Sequence, residues 1–258
     1  LRLLLAGLLL TVWTFLRGEP PPRGPALRAA IGYGACQFGI NFPLLYWAEQ
    51  VVPSGLAAVC YATVPLSSAL MTRAFGMEPL TAPKLIGAVT ALAGVGALFS
   101  SSLRGEIAPG GLAAILVAAT VSGLGSILLK RGPRQSPTAA NAVACGVGAA
   151  MSLAISFARR EPHHLPATLA AAGPILYLTV AGSLGAFVIM SWLIHHWSVT
   201  RASYVSVIVP VLALALGSLV RHERLTWLSL AGSVLVVIGL LIGMRDVNAS
   251  VRARAAQS

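Results

Sequence analysis

The stretch from Arg201 to Gly243, "RASYVSVIVPVLALALGSLVRHERLTWLSLAGSVLVVIGLLIG", repeats an earlier one from Ser54 to Leu98, "SGLAAVCYATVPLSSALMTRAFGMEPLTAPKLIGAVTALAGVGAL". Pro65, Glu78, Leu80, Thr81, Gly87 and Gly94 in the first copy return as Pro210, Glu223, Leu225, Thr226, Gly232 and Gly239 in the second, every pair 145 residues apart. Six identities at one offset, with no gap between them, mark a fold built twice. Each copy holds two long apolar runs, so the repeated object is a helical hairpin suited to a membrane.

Composition agrees. Of the 258 residues 57% are hydrophobic and only 10% charged, against about 25% charged in soluble domains, and the mean hydropathy is +0.82. A bilayer core needs about 20 apolar residues per helix, and lipid cannot satisfy backbone polar groups, so such runs fold as helices. Nine spans are expected: Leu3 to Leu16, Leu27 to Ala48, Ser54 to Phe75, Leu85 to Ser100, Pro109 to Leu129, Asn141 to Phe157, Ile175 to His195, Ala202 to Val220 and Leu225 to Met244. The first is short; a basic residue before an apolar core also fits a signal peptide, but no small-x-small cleavage site follows it.

The net charge of +11 comes from residues between the apolar runs, so it reads as a topology signal and not as a nucleic-acid surface. Twelve Lys and Arg fall on one side, including Arg17, Arg23, Arg73, Lys84, Lys130 and Arg245; six fall on the other, Arg2, Arg104, Arg159, Arg160, Arg221 and Arg224. The richer side is expected to be cytoplasmic, with the C-terminus inside. Cys36, Cys60 and Cys145 lie within spans without CxxC spacing, and act as small packing residues. Neither a metal site nor a cofactor is expected.

Subtracting 145 from the span at Pro109 puts its counterpart upstream of Leu1, so one helix is expected to precede the sequence in hand. Restoring it gives five plus five helices. Because five is odd, the halves would lie in opposite orientations, the inverted-repeat plan of secondary transporters.

On "VPSGLAAVCYATVPL", "MEPLTAPKLIGAVTALAGVGAL" and "TRASYVSVIVPVLALALGSLVRHERLTWLSLAGSVLVVIGL", the chain resembles the EamA-type transporters of the drug/metabolite transporter superfamily. The resemblance covers essentially Leu1 to Met244, and implies an all-α polytopic membrane protein of ten helices that exports or exchanges small metabolites without ATP. On that reading residues 1–107 are the first repeat, lacking its first helix, residues 108–244 the second, and residues 245–258 a basic cytoplasmic tail. There are two departures: the absent helix, and Pro79 after Glu78 where a basic residue such as Arg224 is usual.

None of the seven acids lies in the middle of a span. Any proton coupling would therefore use groups at helix ends, such as Glu49, His195 and His196. Glu78 and Glu223 are expected to cap or orient the helices entered at Leu80 and Leu225. Pro65 and Pro210 remove helix donors and permit bending. Tyr33, Gln37 and Asn41, four apart, share one face of the second span and should point into the bundle. With a one-residue slip in register Gln37 aligns with Ser183. Tyr61, Ser126, Trp192 and Tyr204 complete the candidates for a substrate cavity. Gly32, Gly34, Gly39, Gly146 and Gly148 read as close-packing positions. The partners expected are the lipid bilayer and a small organic solute, with a homodimer open to such a bundle. The alternatives are a membrane enzyme acting on lipid-linked substrates, or a non-transporting subunit. No phosphate loop, HExxH or serine-hydrolase motif is present.

Overall fold

The computed structural model describes residues 1–52, 54–98, 109–161, 168–209, 211–212 and 227–255, and among these every regular element is helical. Among the described residues nine helical segments follow one another: α1 (Arg2–Leu16), α2 (24–48), α3 (54–74), α4 (Ala82–Leu98), α5 (Pro109–Arg131), α6 (Pro137–Ala158), α7 (169–196), α8 (Val199–Val209) and α9 (Trp227–Ala255). The protein is an all-α polytopic membrane protein. The expected tail is helical as far as Ala255, consistent with the helix-forming Arg and Ala of "RDVNASVRARA". Pro210 and Glu223 lie outside the described residues.

Contacts divide the chain into two compact units, one of Leu1–Pro43 with Leu124–Trp197, the other of Leu44–Gly123 with Ser198–Ser258. Each unit draws on both halves of the chain.

In the second unit α4 packs on α9, its own repeat mate. Lipid tails are as apolar as the helix surfaces, so association depends on close backbone approach through small residues. A Cβ on Gly87 would lie 2.6 Å from the Gly239 carbonyl oxygen, and one on Gly94 would lie 2.8 Å from that of Gly232. These are the four repeated glycines, and they pair reciprocally: Gly87 meets the mate of Gly94, and Gly94 meets the mate of Gly87. Such a contact is isologous and needs a local two-fold axis, about which α4 and α9 run antiparallel. Around it Ala62, Ala88, Ala91, Val95, Tyr204, Val207 and Val236 are buried together.

Helix α3 is interrupted just before Pro65. Helix α3 consists of Ser54–Tyr61 and Val64–Ala74, separated because proline has no N–H to continue the ladder. Thr63 Oγ1 donates to the Cys60 carbonyl at 2.7 Å.

In the first unit α6 is the hub. Gly34 of α2 lies against the Ala144 backbone, Gly148 against Phe38, and Gly39 against Met151; Gly7 of α1 meets Gly146. The loops at residues 18–25 and 131–137 lie together: Gln135 Nε2 donates to the Ala26 carbonyl at 3.3 Å, and the Glu19 carboxylate accepts from the Ser136 and Thr138 hydroxyls.

Helix direction in this unit follows from contacts along its length. Helix α5 runs antiparallel to α2, with Gly125 on Cys36 and Gly132 on Ala29. It runs parallel to α7, since Lys130 at its end donates to the His195 and Trp197 carbonyls at 2.8 and 2.9 Å. Helices α2 and α7, another pair of repeat mates, are therefore antiparallel.

Candidate substrate-binding site

Helices α2 and α7 share an unusual feature. Each changes to a π-helix partway along, α2 over Ala35–Asn41 and α7 over Leu178–Phe187. The offset of 145 carries Ala35–Asn41 onto 180–186, inside the second segment. The same distortion thus recurs at the same place in both copies, and π segments gather at functional sites. In α2 it directly precedes Pro43, whose ring would crowd the carbonyl four residues back in a regular α-helix.

The two π segments meet through aromatic rings. Phe38 lies 4.6 Å from Phe187 between ring centroids and 5.5 Å from Phe42; Phe42 lies 5.8 Å from Phe187, and Tyr33 meets Phe38 edge-on at 5.7 Å. Phe42 and Phe187 are repeat mates.

Arg2 enters this cluster from the first turn of α1. Its Nε donates to Ser183 Oγ at 3.0 Å, and its guanidinium carbon lies 5.5 Å from the Phe42 centroid and 5.2 Å from that of Phe187. Cations over aromatic faces at this range are attracted by the ring quadrupole. The sequence count had put Arg2 among the basic residues of a loop. The structure corrects this: the side chain is half-buried and bonded to a wholly buried serine. Removing it from the count leaves twelve basic residues against five.

The depth of the cluster can be read from the helices. Ser183 is twelve residues before His195, or about 18 Å along a helix, where half of a bilayer core is roughly 15 Å. An arginine at a helix centre in lipid costs about 2.5–3.5 kcal/mol even by the lenient insertion scales, a cost that Ser183 and the two rings offset.

A second polar group lies nearby. Asn141 Nδ2 has three acceptors within hydrogen-bond distance for its two N–H groups: Ser191 Oγ at 2.6 Å, the Pro137 carbonyl at 2.8 Å and the Phe187 carbonyl at 3.1 Å. It ties α6 to the end of the π segment in α7.

Of the residues expected to line a cavity, Tyr33, Gln37, Asn41, Ser126, Ser183 and Trp192 fall in this unit. Tyr33, Asn41, Ser126 and Ser183 are buried, and Gln37 is half-buried. Because Gln37 and Asn41 lie in the π segment, the four-residue spacing no longer keeps them in one straight stripe. Asn41 Nδ2 donates back to the Gln37 carbonyl at 3.3 Å. Trp192 is 46% exposed and stacks on His196 of its own helix at 4.3 Å, apart from the others. Tyr61 and Tyr204 belong to the second unit: Tyr61 packs against Ala48, Val52, Ala57, Ala114 and Ile115, and buried Tyr204 donates to the Lys84 carbonyl at 3.0 Å.

Glu78 also caps a helix, but not the expected one. Its Oε1 accepts the Val199 N–H at 2.7 Å and that of Thr200 at 3.4 Å, so it caps α8 and not α4, joining one copy to the other. Its Oε2 pairs with Lys84 Nζ at 3.1 Å, both side chains nearly buried at 11% and 7% exposed. The reach to α8 is a tertiary contact that spacing within one copy cannot reveal.

Sequence reasoning missed Arg2, Phe42, Asn141 and Phe187. The offset of 145 that links Phe42 to Phe187 was available. Nothing local marked Arg2, whose partners Ser183, Phe42 and Phe187 lie far from it in the chain.

Comparison with known proteins bears on this arrangement. The model of the EamA-like transporter family matches residues 1–100 and again 109–244. An Escherichia coli protein described as the uncharacterized inner membrane transporter YedA is 32% identical over 94% of this chain and 80% of its own length. A Salmonella typhimurium protein described as a probable amino-acid metabolite efflux pump is 31% identical over 94% of this chain and 85% of its own. A solved crystal structure superposes with a TM-score of 0.68 at 19% identity, covering all of this chain and 96% of the other, a likeness of fold.

Proposed function

We propose that this chain, which belongs to the EamA-like transporter family, exports or exchanges its solutes across a plasma membrane by alternating access, as a membrane transporter of small metabolites with its C-terminus in the cytoplasm. The observation that supports the alternating mechanism best is the pair of antiparallel π segments at equivalent places in α2 and α7. Inverted-repeat carriers bind their cargo near the midplane, where repeat-related helices depart from regular geometry. Reciprocal packing of the repeated glycines supports the same inverted plan. Rocking one helix group against another would expose the π segments to each side in turn. Tyr33, Gln37, Asn41, Ser126 and Ser183 are the residues we assign to the solute path.

Purified protein in liposomes, preloaded with amino acids, nucleosides or cationic drugs, tests this reading by counterflow. Accumulation of a labelled solute driven only by its unlabelled counterpart inside is expected. Lack of exchange across the whole panel, with correctly inserted protein, would contradict it.

A further inference from the structure

We infer that the loop between α1 and α2 and the loop between α5 and α6 form one binding surface for the phosphate headgroup of an anionic phospholipid, with Arg23, Arg28 and Arg134 as its principal contacts. The inference needs the membrane location of the chain and not the identity of its solute.

Three observations carry it. The first is convergence. The two loops are distant in sequence but adjoin in the fold: Gln135 Nε2 donates to the Ala26 carbonyl at 3.3 Å, and a Cβ on Gly132 would run into that of Ala29. Arg28 lies between Ala26 and Ala29, and Arg134 between Gly132 and Gln135, so the two arginines stand on adjoining segments. Arg23 is the residue before α2 begins, three positions ahead of the same contact. Arg134 and Lys130 both act electrostatically on His195, so the surface reaches the end of α7.

The second is uncompensated charge. Residues 17–28 and 130–136 hold six basic side chains, Arg17, Arg23, Arg28, Lys130, Arg131 and Arg134, against one acid, Glu19. That acid is already engaged by the Ser136 and Thr138 hydroxyls. Arg23, Arg28 and Arg134 are exposed, and among the described residues none of the three is paired with a carboxylate. Topology asks only that basic residues fall on one side of the membrane. It does not ask that two loops be bonded together with their arginines gathered on one surface. Guanidinium forks match phosphate oxygens, and basic clusters beside helix ends attract anionic headgroups.

The third is the flank. Trp13, Phe15 and Leu16, in the last turn of α1 where it enters the first of these loops, are exposed, an apolar and aromatic border of the kind found at headgroup level. The Arg17 guanidinium lies over the Trp13 ring at 4.7 Å, which sets its charge at the same level. The basic surface is thus continuous with one that meets acyl chains, which favours a lipid over a free anion.

The test is headgroup preference in the purified full chain. Phosphatidylglycerol and phosphatidylcholine carrying the same fluorescent acyl chain are titrated with protein in detergent and followed by anisotropy. Wild-type protein is expected to hold phosphatidylglycerol roughly tenfold more tightly, with the difference shrinking as sodium chloride screens the charges. Arg23→Gln, Arg28→Gln and Arg134→Gln together should remove most of that preference, and the same three positions changed to lysine should keep most of it. Arg159→Gln with Arg160→Gln, in a different loop, should leave it intact. Melting temperatures without lipid check that the variants fold; phosphatidylglycerol should raise that of the wild type and not that of the triple glutamine variant. Should the triple variant not fold, Arg28→Gln and Arg134→Gln singly are each expected to lose part of the preference. Equal affinity of the wild type for the two lipids, an undiminished preference in the glutamine variants, or the same loss from Arg159→Gln with Arg160→Gln would overturn the inference. So would displacement of the labelled phosphatidylglycerol by millimolar sodium phosphate but not by sodium chloride at equal ionic strength, since the surface would then take a free anion and not a lipid.

Discussion

Phe42 and Phe187 occupy the same place in the two copies of a duplicated sequence, and their rings lie 5.8 Å apart. Their coupling is measurable. Aromatic pairs at this range contribute about 0.5–1.5 kcal/mol beyond their burial. A double-mutant cycle of Phe42→Leu and Phe187→Leu, read by thermal or denaturant unfolding in detergent, is expected to return a coupling of about 1 kcal/mol. Simple additivity would show that the contact adds nothing specific.

The helix pair α4 and α9 depends on the absence of side chains at the repeated glycines. In Gly87→Ala the new Cβ would stand 2.5 Å from the Gly243 nitrogen, and in Gly94→Ala 2.6 Å from the Val236 nitrogen. Backbone cannot move aside as a flexible side chain does, so each substitution is expected to cost about 1–3 kcal/mol by overpacking. Gly96→Ala is the control: among the described residues no atom outside its own helix backbone lies within 4 Å of its Cβ, and stability should hold or rise slightly.

Glu78 joins Lys84 in a nearly buried ion pair and caps α8 through the Val199 N–H. Removing one member of a buried pair leaves the other uncompensated, at a cost of about 3–5 kcal/mol. Glu78→Ala should lose about that much in unfolding experiments. The double variant Glu78→Gln with Lys84→Met should recover part of it, because no isolated charge remains. Equal losses in the single and double variants would show that the pair is not coupled.

The loop carboxylate of Glu19 lies outside the spans and is held below its ordinary value of 4.5, first by the Ser136 hydroxyl and then by that of Thr138. A depressed folded value favours the folded state above the ordinary value, and that contribution is lost as pH falls through the folded one. Glu19→Gln should therefore be less stable than wild type at neutral pH, and the gap should close progressively below about pH 4.5. Melting curves across that range check the sign; a gap that widens on acidification would contradict it.

The large features of the fold were legible because they rest on patterns the bilayer imposes. Among the described residues the apolar runs became helices, and the offset of Pro65, Gly87 and Gly94 from their mates announced the duplication. It also held the packing, since the same glycines form the α4 and α9 contact. What escaped was tertiary. Glu78 caps a helix 121 residues later in the chain. The π segments depend on how α2 and α7 are gripped by their neighbours, for which no periodicity exists. Tyr33, Asn41 and Ser183 could be named because polar groups in apolar runs stand out. Arg2 could not, since its partners Ser183, Phe42 and Phe187 are tertiary neighbours distant in the chain.

Opposite orientation of the two copies is the claim on which the mechanism depends, and sided thiol labelling tests it most directly. Single cysteines at Gly76 and at its counterpart Arg221, each in a background with Cys36, Cys60 and Cys145 replaced by serine or alanine, would be probed in intact cells and in inverted vesicles with a membrane-impermeant maleimide. The account predicts that position 76 reacts only from the cytoplasmic side and position 221 only from the other. Labelling of both from the same side would mean that the copies are parallel, and the account of a midplane site between inverted halves would fail.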